Sequence, residues 1–252
     1  LLILASTIGI RAFPQSPADW QADLRHLQKL VHEKYSNLFH TITATEWDKA
    51  ANQFYDKIPA LDKTATLAGF VKLVSLFHIG HTQVNTFMFH QANQSNITLN
   101  RYPFRLYWFS DGVYIIAADK KYEPAVGGKV IRIGKMKTED ALEAVRPLVS
   151  YENEQGFKSN AVFFLATAEF LQTQGIADGS LELPVVINKN GKEETVIFKA
   201  GSNYNFSNAT GIEIPEGWVV AKRLLAQFHY GRKTPGLSGT SSSYQPAKRC
   251  MC

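Results

Sequence analysis

Cysteine is almost missing from this sequence. Its two thiols, Cys250 and Cys252, fall at the very end of 252 residues, so positions 1–249 hold none. A cysteine nucleophile, a cysteine-based metal knuckle and a disulfide framework are therefore excluded from the body of the chain. The scarcity is compatible with export, where unpaired thiols are liabilities. Also missing is a Gly-x-Ser-x-Gly elbow, the strand-to-helix turn that presents a serine nucleophile in one large class of hydrolases. The run Ser238–Ser243 is the nearest match, but no strand-to-helix pattern frames it, and it reads as a flexible polar tail. A Ser/Lys dyad stays open, because its members need not be near in sequence. Gly127-Gly128 lacks both the GxGxxG spacing and a Walker lysine with its Ser/Thr, which excludes a phosphate loop there.

Acidic residues are absent from the whole stretch between Asp62 and Asp111. That stretch contains the most conspicuous polar cluster, His78, His81 and His90, with His-x-x-His spacing at the end of an apolar helical pattern. A hydrolytic zinc site needs a third ligand and a carboxylate to activate water. With no carboxylate nearby, these histidines are expected to be structural or turn residues. No residue is assigned a catalytic, cofactor-binding or metal-binding role, and no cofactor is expected.

Acids are absent again from Arg223 to Cys252, where five basic residues stand (Arg223, Arg232, Lys233, Lys248 and Arg249). The formal net charge of +5 comes entirely from that tail: without those five, 22 of the 27 Lys and Arg remain, against 22 Asp and Glu. A neutral body offers no broad cationic face, so nucleic acid is not an expected partner.

No apolar run is long enough to span a bilayer. The opening LLILASTIGIRAF, followed by Pro14, has about the length of the apolar core of a secretory signal. Residues 1–14 are accordingly expected to be part of an export signal, which places the protein in a bacterial periplasm or outside the cell. Four Asn-x-Ser/Thr sites, at Asn93, Asn96, Asn205 and Asn208, matter only in a glycosylating host.

What is present is core material: 45% of the residues are hydrophobic and 12% aromatic, enough for one large domain or two small ones. Trp20, Leu24, Leu27, Leu30 and Val31 recur at helical spacing and predict a helix over 19–35, started by Ser16-Pro17. A second helix is predicted to open at Thr45-Glu46, to turn Trp47, Ala50, Ala51 and Phe54 inward, and to end at Pro59. A third is predicted over 64–77, stopping near Gly80. Beyond Thr82 the pattern changes to alternation. Phe104–Phe109 and Val113–Ala118 flank Ser110-Asp111-Gly112 as a hairpin. Gly127-Gly128 introduces a strand over 129–133, and 138–149 reads as a helix with Thr138 as its N-cap. One further helix is predicted over 160–174, and a second hairpin joins 181–187 to 194–198. No internal repeat is present.

Four segments in order carry a resemblance: DLRHLQKLVHEKYSNLFH, then Gly80-His81-Thr82, then YPFRLYWFSDGVYI, then GGKVIRIGKMKTEDALEAVRPLVSYEN. Over about residues 19 to 222 this order resembles the amino-terminal half of bacterial C-terminal-processing, or tail-specific, serine peptidases. The resemblance implies an α+β fold. In that family a helical unit comes first, a β-rich PDZ-like segment second, and an α/β catalytic domain with a serine nucleophile and usually a lysine base last. It further implies that the segment from Val113 to Val149 presents or gates a peptide, so a peptide or unfolded protein is the expected partner. Relatives often read Gly-Asp-Gly-His-Thr where this chain has His78-Ile79 before Gly80-His81-Thr82, so the role of that aspartate does not carry over, and His81 is not assigned as catalytic.

The expected organisation is a partial export signal over 1–14, a helical unit over 15–82, a β-rich PDZ-like segment with helices over 83–222, and an irregular tail over 223–252, with the catalytic domain absent. The tail is expected to be a frameshifted translation of the start of that domain. Joining the third base of each codon to the first two of the next forces Leu at His229-Tyr230 and Val at Met251-Cys252. The remaining choices allow strings that resemble the family's catalytic-domain start. Such a tail is expected to pack loosely. The chain so read is an inactive front part of an exported peptidase; the alternative is a self-sufficient peptide-binding module.

Overall fold

A computed structural model describes residues 15–34, 37–86, 97–179, 181–201 and 214–222. The expected export signal, His90, the four Asn-x-Ser/Thr asparagines and the tail from 223 onward lie outside the described residues.

Helix α1 (Pro17–Lys34) starts where Ser16 and Asp19 exchange hydrogen bonds, Ser16 N donating to Asp19 Oδ2 at 2.8 Å and Asp19 N to Ser16 Oγ at 3.2 Å. Proline at the first helical position suits this start. Helix α2 (Ala44–Lys57) begins one residue before the expected Thr45-Glu46. Thr43 is its N-cap, and Thr43 and Glu46 form a complete capping box. Pro59 follows in a 3-10 turn, Ile58–Ala60. Helix α3 (Lys63–Ser75) is capped by the Asp62 side chain, which accepts from Ala65 N. It ends before Phe77, and the left-handed residue beyond it is His78 (φ 49°), not Gly80.

All strand pairing is antiparallel. Strands β1 (Phe104–Phe109), β2 (Gly112–Asp119), β3 (Lys129–Ile133), β4 (Met136–Lys137), β5 (Glu182–Lys189), β6 (Lys192–Lys199) and β7 (Trp218–Val220) form one sheet in the order β1-β2-β3-β5-β6. The short β4 pairs with β3, and β7 pairs with β2 at Ala117, Ala118 and Asp119. Both expected hairpins are present, β1–β2 and β5–β6; the second turns through Asn190 and Gly191, both at positive φ. The β3–β4 turn needs glycine for space as well as for conformation: a Cβ on Gly134 (φ 55°) would stand 2.2 Å from the Ile176 carbonyl oxygen. The observed class is therefore α+β, with helices first and an antiparallel sheet after them.

Two helical predictions need correction. The 138–149 segment is α4 (Thr138–Val145) followed by a 3-10 turn, Arg146–Leu148, because Pro147 cannot donate to a continuing helix. Lys137 holds the cap position, while the Thr138 hydroxyl donates to Val130 O at 2.8 Å. The 160–174 segment is two helices, α5 (Glu154–Phe164), capped by Asn153, and α6 (Ala168–Thr173). They are parted by a strap, residues 97–102. Tyr102 N donates to Ala166 O, Asn100 O accepts from Ala168 N, and Arg101 bridges Thr167. A distant segment thus takes backbone groups that a continuous helix would have used.

Helix α3 lies between two apolar clusters. Leu67, Ala68 and Val71 pack into the core formed with the sheet, α4, α5 and α6, while Leu73, Val74 and Phe77 pack against α1 and α2. On the latter side Trp47 is fully buried, stacks on Phe77 with ring centres 5.2 Å apart, and donates its indole N–H to Leu73 O at 3.1 Å. No helix among the described residues is long and apolar enough to cross a membrane.

Trp47→Ala is expected to lower unfolding stability by about 3–5 kcal/mol. Thr43→Ala is expected to lower it by about 1 kcal/mol, as the loss of one cap. Urea denaturation of the two variants checks the order, and equal effects would show that Trp47 is not the keystone of the helical cluster.

Candidate functional site

Strand β1 is one end of the sheet, and its backbone alternation follows from its neighbour. Ile115 of β2 spends both backbone groups on the far side: its N–H donates to Gly128 O at 3.0 Å and its carbonyl accepts from Gly127 N at 2.8 Å. Its neighbour Tyr114 therefore faces β1, opposite Tyr107. By the same alternation Leu106 and Trp108 turn their N–H and C=O away from β2. Among the described residues no strand pairs with that side of β1. Helix α5 lies against β1, with Phe157 edge-on to Trp108 at 5.9 Å and Lys158 Nζ 5.4 Å from the Trp108 ring centre. Tyr107 and Phe109 touch at 4.4 Å and Phe109 reaches Tyr114 at 5.5 Å, making a half-buried aromatic patch. The Tyr114 hydroxyl donates to Asp111, which raises its pKa.

The opposite end of the sheet is chemically different. β6 carries Lys192, Glu193, Glu194 and Lys199, all exposed, and such charged side chains discourage pairing by another chain.

The strap leading into β1 is closed to ligands at its backbone. Asn100 N donates to Glu169 Oε2, Arg101 N to Gly201 O, Tyr102 N to Ala166 O and Phe104 N to Tyr102 O. These four N–H groups hold the fold together and offer no cradle for a carboxylate. Behind them lies a buried polar cluster. Arg101 is 1% exposed and its guanidinium carbon sits 3.5 Å from the centre of the Phe163 ring. Burial, then the charge of Arg105, pulls its pKa down to about 9, with Glu169 acting the other way. Glu169 accepts from both the Asn100 amide and the Asn100 side chain, yet burial outweighs these bonds and raises its pKa. The cluster anchors the strap on α6.

The histidines are not gathered. His78 is exposed, with its ring edge-on to Tyr151 at 5.5 Å, and His81 is exposed. Among the described residues no group of three or more His, Cys, Asp or Glu is placed to hold a metal. No serine hydroxyl among them is hydrogen-bonded to a histidine or lysine side chain; Ser75 Oγ lies 2.6 Å from the Pro147 backbone carbonyl and 2.8 Å from that of Lys72. At the turn after α3, Gly80 N donates to Glu152 Oε1 at 3.2 Å. Glu152 was invisible as a partner for Gly80 because 72 positions separate them. Neither a protein-family model nor a curated protein matches the sequence.

Because folding favours the neutral form of Glu169, this group supports stability most below its ordinary carboxyl range, and that support declines as pH rises through the range. Relative to the parent, Glu169→Gln is therefore expected to be most destabilising near pH 4 and less so at pH 7. Urea midpoints across that interval check it; a difference independent of pH would remove the raised pKa.

Proposed function

We propose that this chain is the non-catalytic, substrate-presenting part of an exported serine peptidase resembling the tail-specific family, and that it holds an extended peptide by strand addition to β1. The observation that carries the reading is the outer edge of β1. Leu106 and Trp108 direct backbone groups to a side where no described strand pairs, next to a helix and between aromatic side chains. Main-chain hydrogen bonds along such an edge give affinity without sequence preference, and alternate side chains falling on the aromatic patch and on the α5 side give selectivity. This suits a module that receives unfolded segments of many sequences. The arrangement of hairpin, β3, β4 and α4 after a helical unit agrees with the order of parts in the resembled peptidases, in which the β-rich part is PDZ-like. In contrast to a carboxylate loop, the strap before β1 spends its N–H groups internally, so the proposed contact reads an internal stretch of peptide.

A peptide of alternating apolar residues, blocked at both ends, is expected to bind weakly. N-methylation at every second residue in one register abolishes the binding, while methylation in the other register leaves it intact. Equal effects of both registers, by titration calorimetry, would remove strand addition. The purified 252-residue chain is expected to cleave no unstructured peptide and to take no label from a serine-directed phosphonate, since no activated hydroxyl stands among the described residues. Labelling of one serine, with turnover lost on its mutation, would contradict this.

A further inference from the structure

A concavity of about 620 Å³ opens between α2 and α3 on one side and the Arg146–Leu148 turn on the other. Phe54 and Lys57 of α2 form one wall, Gly69 and Lys72 of α3 with Leu76 just beyond its end the floor, and Tyr151 the far wall. The two sides are tied together by Ser75 Oγ, 2.6 Å from Pro147 O. Gly69 keeps the floor low: a Cβ there would stand 2.1 Å from Phe54 Cε2, so any larger residue would force that ring to shift. The volume is that of a small-molecule site, roughly 300–1,000 Å³.

The charges around it are unevenly matched. Arg146 is neutralised within the fold, by Glu143 at 2.7 and 2.9 Å and by Glu154 at 3.1 Å, and it rests on the Phe157 ring. Lys72 is half-buried, and among the described residues no carboxylate pairs with it: Glu143, which lines the same groove, is paired with Arg146, and the charge that acts on Lys72 is another cation, Lys57. Burial, and then Lys57, lowers the Lys72 pKa. A partly desolvated ammonium without a counter-ion is costly, and a bound anion relieves that cost. The rest of the lining is mostly apolar, with Gln53, His78 and Thr173 as its polar members, and the α2 and α3 backbone beneath it is helical and already hydrogen-bonded to itself. A peptide lying here would bury amides without partners. A ligand with one anionic end and an apolar body would not.

We propose that this groove binds an amphiphilic monocarboxylate, an alkyl or aryl chain ending in one carboxylate, with Lys72 as the anchor, Lys57 as the supporting charge, and Phe54, Leu76 and Tyr151 against the chain. The site is separate from the edge of β1 and does not depend on strand addition there.

The test is calorimetric titration of the full chain with decanoate, decanol and acetate below micellar concentrations, and with an apolar tetrapeptide free acid. Decanoate is expected to bind at least about tenfold more tightly than decanol, which has the chain without the charge, or acetate, which has the charge without the chain; tenfold corresponds to about 1.4 kcal/mol. Lys72→Met should remove that advantage while leaving decanol binding as in the parent, which also reports an intact groove, and Lys72→Arg should retain most of it. Equal binding of decanoate and decanol, parental decanoate affinity in Lys72→Met, no binding at all, or tighter binding of the tetrapeptide acid than of decanoate would each overturn the proposal.

Discussion

Helix α3 is buried on two opposite sides, and the rest of the structure is arranged around that constraint. Thirteen residues have to satisfy the sheet core through Leu67, Ala68 and Val71 and the helical cluster through Leu73 and Val74, with Phe77 just beyond the helix joining the second. A helix apolar on most of its circumference cannot face water, so it holds the two halves of the fold together by the same burial that stabilises it. Trp47 adds direction to this non-directional force. Its N–H on Leu73 O fixes the rotation of α2 about α3. Ser75, the last residue of α3, does the same toward the Arg146–Leu148 turn.

How far the fold could be read in advance depended on whether its determinants were local. The Asn190-Gly191 turn, the Ser110-Asp111-Gly112 turn and the apolar period of α1 are written within a few residues, and each formed where expected. The start of α2 was also locally written, as Thr43-x-x-Glu46, but competed with a second threonine at position 45. The break between α5 and α6 was not locally written. Residues 160–174 have helical character throughout, and only the strap at 97–102, which pairs with Thr167 and takes the Ala168 N–H, interrupts them. The short strands β4 and β7 exist only through their neighbours.

The candidate site shows the same division. That 104–109 would be a strand was legible from its β-rich aromatic composition; that it would stand at the end of the sheet was not, because strand order is a property of the assembled sheet. Lys72 is one polar residue in an apolar helix, and sequence spacing alone would leave it on a solvated face. Its half-burial beside Lys57 depends on a wall supplied by residues more than seventy positions away. Conversely, His78 and His81 stand out in sequence, yet among the described residues no group of three or more His, Cys, Asp or Glu is placed to hold a metal.

The two ends of the sheet have a consequence for self-association. The β6 end bears Lys192, Glu193, Glu194 and Lys199, and the β1 end has no such row of exposed charge. Were edge pairing confined to the β1 end of the described sheet, it could not build an open filament, because each addition would consume that edge. Two copies meeting through β1 would pair antiparallel about a twofold axis and leave only charged edges outward. Pairing of that kind would stop at two chains.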